Sequence, residues 1–367
     1  MSALNQVQSA MTVASDGLAT LTEGTTKPEA KSKRIPALDF TKGSLVLIMV
    51  LYHWLNYFYA GQAKWDVFRY LRFLTPSFIF ITGFLVSNIY FAKYGIASRR
   101  LPARLAERGL KLLGVFAVLN IFRTLLLPRG ARLQLISEHL SLRSLVNIYV
   151  IGTDLGGGQG KAVAFYILVP IGYLLILAAL LLIGAKRWRP LFYWVFGVCL
   201  LGLSILDFAH LNSANLQLLT IGLLGLLLGY VPIGRISRFV DHPWIVIAAY
   251  ACYLGAITIW NVIYLLQIVG VCLSLMLIYM VGSSQALRGM TQNQVILLGQ
   301  YSLLGYIAQI AVLQILYQAF RHSDMSVRAV QWISFVSAVL LTILIVRATN
   351  SLRRVRMVDG FYRAIFG

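Results

Sequence analysis

The stretch that decides the fold is LDFTKGSLVLIMVLYHW, from Leu38 to Trp54. Most of its residues are Leu, Val, Ile or Met, which suit the hydrocarbon core of a membrane. Three ionisable residues interrupt this pattern: Asp39 and Lys42 near the start and His53 deep in the apolar run. Because ionisable side chains are costly inside a bilayer, they indicate function by default when they occur in an apolar helix.

Lys42 and His53 are spaced to lie on one face of a helix. They are 11 positions apart, which is three helical turns plus about 20° and roughly 16 Å along the axis. The two side chains are too far apart for direct contact. A long substrate would reach both, with anionic groups near Lys42 and a reacting centre near His53. Asp39 lies one turn before Lys42 and is placed to pair with it.

A purely structural interpretation of these three residues is also open. Lys42 would then be an interfacial anchor, and Asp39 would be a first-turn charge favoured by the helix dipole. His53 would form a hydrogen bond between two helices. The spacing alone does not choose between the structural and the functional interpretation.

The composition of the chain is that of a polytopic membrane protein. Of its 367 residues, 59% are hydrophobic and 12% are charged, whereas about a quarter of the residues of a soluble domain are charged. We count about ten apolar segments near the ~20 residues that a spanning helix needs. Their approximate cores are 43–60, 73–92, 109–128, 163–184, 190–208, 216–233, 243–260, 264–282, 296–319 and 328–347. The sequence therefore predicts an all-α membrane protein of about ten transmembrane helices.

The basic residues predict how the helices are oriented. A net charge of +20 would suggest nucleic-acid binding in a soluble protein, but here the basic residues lie between apolar segments, and we expect no nucleic-acid partner. With the N-terminus inside, about 22 of the 32 Lys and Arg residues fall on the cytoplasmic side, as the positive-inside rule requires. We expect a disordered cytoplasmic tail (1–35), a membrane domain (36–349) and a basic cytoplasmic tail (350–367). The outer connection at about 129–162 is long enough to cover a substrate cleft.

Four segments, taken in order, resemble those of a known family. In the first, Asp39 precedes Lys42, ten further residues and His53. The others are TPSFIFITGFL (Thr75 to Leu85), AFYILVP (Ala164 to Pro170) and LGQYSLLGYIAQI (Leu298 to Ile310). Together they resemble the acyltransferase-3 family and its transmembrane acyltransferase relatives, which include the glucan succinyltransferases and the heparan-α-glucosaminide N-acetyltransferase type. The similarity covers most of residues 34–349.

Two positions depart from the family pattern. Many members carry a Glu shortly before the Phe-Tyr…Pro segment, where this chain has Ala162. A frequent His near the ninth helix is Gln309 here. These differences leave no second catalytic residue assigned, and they favour the more distant relatives over the standard acyltransferase-3 type.

The resemblance implies an inner-membrane enzyme that moves an acyl group, expected to be acetyl, from cytoplasmic acyl-CoA to a hydroxyl or amine of a sugar. His53 would be the general base or would carry the acyl group covalently. Lys42 would bind phosphate or polarise the coenzyme, and Asp39 would hold Lys42 in place. The implied partners are acyl-CoA as co-substrate, a glycan or glycolipid acceptor and the lipid bilayer, with no metal ion.

A basic stretch, ASRRLPARLAERGLKLL from Ala97 to Leu113, allows two interpretations. Four of its cations recur at intervals of four, four and three residues and so share one helix face. These are Arg100, Arg104, Arg108 and Lys111. They would form either a stripe that contacts lipid headgroups or, as the resemblance favours, a cluster for the phosphates of coenzyme A, since Arg binds phosphate in bidentate fashion.

Two other classes of function fit a chain of this composition. In a transporter or flippase, His53 would be a proton-relay or gating residue. In a membrane scaffold or assembly subunit, His53 would be dispensable. The four-segment resemblance favours the acyltransferase, as does the lack of an evident repeat between the two halves of the chain, which many transporters show.

Overall fold

The structure is a computed structural model. It describes residues 35–59, 62–91, 100–125, 142–152, 165–185, 190–231, 233–235, 242–260, 263–284, 289–321 and 325–366. The predicted tail 1–35 therefore lies outside the described residues except for Ile35. The described parts of the chain contain α- and π-helix and no strand, which confirms the all-α class.

The helices are numbered here in chain order. They are α1 (Pro36–Phe58), α2 (Gln62–Leu71), α3 (Leu74–Leu85, continued as a π-helix over Val86–Phe91), α4 (Arg100–Leu125), α5 (Leu142–Val146, continued as a π-helix over Asn147–Ile151), α6 (Leu168–Ala185), α7 (Leu191–Phe208), α8 (Ala214–Leu228), α9 (Pro243–Ile259), α10 (Tyr264–Ser283), α11 (Met290–Gln300), α12 (Ser302–Phe320), α13 (Val327–Leu352) and α14 (Arg356–Phe366).

Among the described residues, seven helices are long and apolar enough to cross a membrane. Six are α1, α6, α7, α10, α12 and α13, and the seventh joins the end of α2 to α3 over Val67–Phe91. The other three predicted segments also fall in helices. Helix α4 contains most of the segment 109–128 but begins with a charged turn, while α8 and α9, with 15 and 17 residues, are shorter than the ~20 residues of a typical span. The structure thus shows a multi-pass helical protein with seven candidate spans.

Helix α1 lies at the centre of the bundle. Its start follows from its sequence, because Pro36 occupies the first helical turn, where a missing N–H costs nothing. Helices α10, α11, α12 and α13 all pack against it, and α3 lies beside it. By contrast, α7 buries only Phe192 and exposes half of its apolar side chains, as a helix at the lipid-facing edge of a bundle does.

Pairs of glycines allow three helix pairs to approach at backbone distance. Gly43 of α1 faces Gly299 of α11, Gly83 of α3 faces Gly222 of α8, and Gly109 of α4 faces Gly172 of α6. Small residues are the usual means by which membrane helices pack closely, because two backbones then gain extensive van der Waals contact. At Gly299 an added Cβ would overlap the carbonyl group of Asp39, so α11 lies directly against the first turns of α1.

The end of the chain differs in detail from the expected basic tail. Helix α13 continues through Leu352, past the expected boundary at 349, and a second helix, α14, follows after a short turn. The spacing of apolar and charged residues in RMVDGFYRAIF gives α14 one apolar and one polar face. Residues 350–366 are therefore ordered as helix and turn in this structure.

Replacing Gly43 with alanine should destabilise the protein strongly. The new Cβ would lie 3.0 Å from the Gly299 amide nitrogen and would overlap the Val295 carbonyl, and neither backbone group can move away independently. We expect a loss of stability on the order of 3 kcal/mol or more, measured as a lower Tm and loss of a monodisperse peak in detergent.

The matched control is Gly197→Ala on α7, where an added Cβ has no neighbour within 4 Å. Alanine is a better helix former than glycine by about 1 kcal/mol, so this variant should equal or exceed the wild type in Tm. A Gly43→Ala protein as stable as Gly197→Ala would show that the close approach of α1 and α11 is not required.

Candidate functional site

Asp39 and Lys42 form an ion pair in the first turns of α1. The Lys42 Nζ lies 2.6 Å from the Asp39 Oδ1, and only 20% of the Lys42 side chain and 12% of the Asp39 side chain are accessible. The pairing expected from the i,i+3 spacing is therefore present. Because both groups are largely removed from water, each requires the other's charge to offset the cost of burial.

His53 lies on α1 about three turns beyond this pair and is half-buried. Its Nε2 atom is buried, and its ring centroid lies 6.2 Å from that of Tyr306 on α12. Tyr306 is itself buried, and Phe165 packs edge-on against it at 6.1 Å. Phe165 has a φ of 62°, a strained backbone conformation of the kind that concentrates at functional sites.

A cavity of about 210 Å³ lies on the other side of Tyr306. Its wall is built by five separate parts of the fold: α3, α4, the start of α6, α12 and α14. The lining residues are Phe78, Thr82, Arg108, Lys111, Leu112, Ile167, Leu168, Ile171, Leu175, Ser302, Leu303, Tyr306 and Ile365. Most are apolar, and Arg108 and Lys111 supply the charged groups of this lining.

Three of the four resembling segments line the cavity. The second contributes Phe78 and Thr82, the third contributes Ile167 and Leu168, and the fourth contributes Ser302, Leu303 and Tyr306. The first segment reaches the cavity indirectly, since His53 contacts Tyr306. Residues as far apart in the chain as Phe78 and Tyr306, which are 228 positions apart, thus line one space.

The predicted basic cluster divides into two parts. Arg108 and Lys111 line the cavity, whereas Arg100 and Arg104 are exposed nearer the start of α4 and are not among its lining residues. Arg108 donates a hydrogen bond to the Tyr90 hydroxyl. Lys111 pairs with Glu107, with 2.9 Å between Nζ and Oε1.

The end of the chain contributes to the same region, which the sequence did not indicate. Ile365 of α14 lines the cavity, and α14 is held by an ion-pair cluster at its start. Both carboxylate oxygens of Asp359 are used: Arg353 lies 2.5 Å from Oδ1 and Arg363 lies 2.6 Å from Oδ2. The hydrogen bond from Arg353 lowers the pKa of Asp359 below its usual 3.8 and raises the pKa of Arg353.

Tyrosines hold the Arg353 guanidinium from two further directions. It donates to the Tyr301 hydroxyl at 3.0 Å and lies 4.3 Å from the centroid of the Tyr362 ring, close enough for a cation–π contact. Tyr301 is the residue between α11 and α12. The cluster therefore connects α14 to the same helix pair that contacts α1. An amphipathic pattern in the last eleven residues was the signal that would have identified this helix.

The far end of α5 and the start of α8 are joined by a second polar cluster. Asn215 donates to the carbonyl oxygens of Ile148 and Tyr149 and accepts a hydrogen bond from Tyr166. These contacts hold the helical segment Leu142–Ile151, which is apolar and too short to span a membrane. The rest of the connection at about 129–162, namely 129–141 and 153–162, lies outside the described residues.

Within the part of the chain that the structure describes, no group of three or more His, Cys, Asp and Glu side chains is placed to hold an ion. The site consists of a half-buried imidazole, a largely buried ion pair and two cations beside an apolar cavity.

Fold and site together define a multi-pass helical membrane protein with a half-buried histidine next to a cavity of mixed apolar and cationic character. A family model described as "Acyltransferase domain", that of the acyltransferase-3 family, matches residues 35–347. The chain belongs to this family and is therefore a membrane acyltransferase by type. No curated protein and no solved structure matches it.

Asp359→Asn should loosen α14 without unfolding the protein. The change removes both ion pairs, and exposed pairs contribute little to global stability. We expect faster hydrogen exchange over residues 353–366 by mass spectrometry, with a small change in Tm. Since the pKa of Asp359 is lowered, the two ion pairs of Asp359 stabilise α14 fully above the ordinary pKa of a carboxyl group. Their contribution is lost only as the pH falls through the lowered pKa. Protection of α14 in the wild type should then be constant between about pH 5 and pH 8.

The control is Asp207→Asn, which removes an exposed carboxylate at the end of α7, far from α14 in the chain. It should leave exchange in 353–366 unchanged. Equal exchange in wild type and Asp359→Asn would show that α14 is held by its apolar face alone.

Proposed function

We propose that the protein transfers an acyl group, acetyl in the simplest case, from acyl-CoA to a hydroxyl of a sugar or cell-surface glycan. One observation carries this proposal: a single cavity has Arg108 and Lys111 in its wall and, at Tyr306, adjoins His53. A phosphate-binding group and a proton acceptor are then on opposite sides of an apolar space.

The size of the cavity suits part of the donor. Pockets that enclose a whole small ligand measure roughly 300–1,000 Å³, whereas this one measures about 210 Å³. It has room for the acyl thioester end of acyl-CoA. The phosphates would stay outside the apolar space, near the cations of α4, where Arg108 offers a planar group for bidentate contact.

In the proposed reaction, His53 moves a proton between the two substrates, and no further reactant is needed. The neutral imidazole takes the proton of the acceptor hydroxyl while the hydroxyl oxygen attacks the thioester carbonyl carbon. The carbon–sulfur bond then breaks, and the departing coenzyme A thiolate takes the proton from the imidazolium. Imidazole suits both steps because its pKa lies near neutral pH. Acyl-histidine formation, followed by transfer to the acceptor, is the alternative order of events.

Lys42 and Asp39 would act on the donor side of this reaction. Lys42 would bind a phosphate or polarise another group of the coenzyme, and Asp39 would fix the position of its ammonium. The 2.6 Å pair supports the second role, because a bound carboxylate restricts the long Lys side chain.

For the donor to arrive from the cytoplasm, the start of α1 must face that side. We propose ten spans in the inner membrane, with both termini in the cytoplasm, on the basis of the Lys and Arg distribution. Helices α4, α8 and α9 would be the spans added to the seven long apolar ones. Membership of the acyltransferase-3 family favours this function over a transporter or flippase that uses His53 as a proton relay.

His53→Ala should abolish acyl transfer and leave the fold intact. Removal of a general base typically costs about 10²–10⁴ in rate, so at least a 100-fold loss is expected for protein-dependent release of coenzyme A from acetyl-CoA. His242→Ala is the matched control, because His242 is exposed at the start of α9. Full activity in His53→Ala would exclude this mechanism, and no acetyl-CoA or longer acyl-CoA turnover by the wild type would favour transport.

Arg108→Ala and Lys111→Ala should raise the KM for acyl-CoA more than they lower kcat. Loss of a hydrogen bond from a charged group costs about 1.5–3 kcal/mol, which corresponds to a rise of roughly 10-fold or more. Arg100→Ala removes the same charge from the same helix, but outside the cavity. It should change the KM less than 3-fold, because exposed charges contribute little to binding. If Arg100→Ala has the same effect as Arg108→Ala, the cations act only as a general surface charge.

A further inference from the structure

Gln309, near the middle of α12, is a fully buried polar side chain. Its exposed fraction is 0%, and among the described residues neither its Oε1 nor its Nε2 has a hydrogen-bond partner. A primary amide without partners in an apolar interior costs stability. Buried polar groups in native proteins are nearly always hydrogen-bonded, so each exception needs an explanation, and a role in the reaction is one of them.

Several other buried polar side chains of α1 and α13 have hydrogen-bond partners. The Trp54 indole donates to the Ser334 hydroxyl at 2.9 Å, the Thr41 hydroxyl to the Ala37 carbonyl at 2.8 Å, and the Thr342 hydroxyl to the Ala338 carbonyl at 2.7 Å. Within the described ranges, Gln309 is the one buried side chain whose two polar atoms both lack a partner. The local packing therefore provides hydrogen bonds for its neighbours but leaves the amide of Gln309 without one.

The packing of α12 along α1 places this amide near His53. The two helices run in the same direction: Gly305 approaches Val46, Val312 and Leu313 share a buried cluster with Val50 and Trp54, and Tyr317 packs on Tyr57 and Phe58. Position 309 lies between these contacts, so it is level with the turn of α1 that precedes His53. It also lies one helical turn from Tyr306, on the same side of α12.

The direction of α12 puts Gln309 beyond Tyr306 as seen from the cavity. Ser302, Leu303 and Tyr306 line the cavity, and Gln309 does not. The cavity holds the cations proposed to bind the donor. Gln309 is thus a polar group near His53, one helical turn away from the part of α12 that lines the cavity with the donor-side cations.

We propose that Gln309 binds the acceptor, a polyhydroxylated substrate such as a sugar, beside His53; this rests on the proposed acyl transfer. A primary amide presents one acceptor and two donors in a plane. Its Oε1 would accept from a hydroxyl next to the reacting one, and its Nε2 would donate to a neighbouring sugar oxygen. A buried amide of this kind discriminates strongly against molecules without matching hydroxyls, because they would leave it unsatisfied.

Gln309→Met tests the proposal, because methionine has nearly the same length and no hydrogen-bonding amide. In the purified protein without acceptor, we expect an unchanged or higher Tm, since an unsatisfied group has been removed. Acetyl-CoA binding should stay within about 2-fold of the wild type, while acylation of cell-surface glycans, measured by mass spectrometry, should fall at least about 10-fold. Gln318→Met, an exposed glutamine on the same helix, should match the wild type in all three measurements.

Three results would overturn the assignment: a Tm several degrees below that of Gln318→Met, which would make the amide structural; glycan acylation equal to the wild type; or an equal loss of acetyl-CoA binding, which would put Gln309 on the donor side. The wild type, measured in parallel, separates this inference from the proposed function. If the wild type neither turns over acyl-CoA nor acylates glycans, the proposed function itself fails. If the wild type does both and Gln309→Met gives one of the three contradicting results, only the role of Gln309 is wrong.

Discussion

The close approach of α1 and α11 at Gly43 and Gly299 is the constraint on which the site depends. At this crossing the Asp39 carbonyl lies where a side chain at position 299 would be. Helix α11 leads through Tyr301 directly into α12. The distance between α1 and α12, and with it the contact between His53 and Tyr306, is therefore set by two residues that have no side chain. Backbone contact of this kind is rigid, because neither helix can yield without losing its own hydrogen bonds.

The same crossing explains how charged residues are tolerated near the start of α1. A buried carboxylate or ammonium is strongly unfavourable alone and acceptable as a pair. Asp39 has an exposed fraction of 8% and lies 2.6 Å from Lys42. Retaining a buried ion pair contributes little net stability compared with apolar residues of similar size. The pair is therefore not needed for stability alone, which agrees with the substrate role proposed for Lys42.

The cavity is lined by helices that are distant in the chain, and each helix contributes a different kind of surface. Cations come from α4, apolar surface from α3 and α6, and the aromatic wall toward His53 from α12. Helix α14 adds Ile365 and is itself clasped by Arg353, Asp359 and Arg363. Because Arg353 also contacts Tyr301, the position of α14 is linked to the α11–α12 connection. Changes at the end of the chain are thereby coupled, through direct contacts, to the helix that carries Tyr306 and Gln309.

The sequence by itself determined the all-helical membrane class, the segments of the bundle, the family and the pairing of Asp39 with Lys42, since these depend on local composition, on helical periodicity or on short motifs. It also placed Lys42 and His53 on one helix face. It did not separate Arg108 and Lys111 from Arg100 and Arg104, although all four share a periodic stripe, because which turn of α4 meets the cavity depends on the Gly109–Gly172 packing. From the sequence, residues 350–367 were predicted to be a tail, because the residues that hold α14 in place, such as Tyr301, lie elsewhere in the chain. Gln309 stood out in the sequence only as a departure from a pattern. That its amide is buried and lacks a partner among the described residues, level with the turn of α1 that precedes His53, was decided by how α12 packs along α1. That packing joins residues more than 250 positions apart.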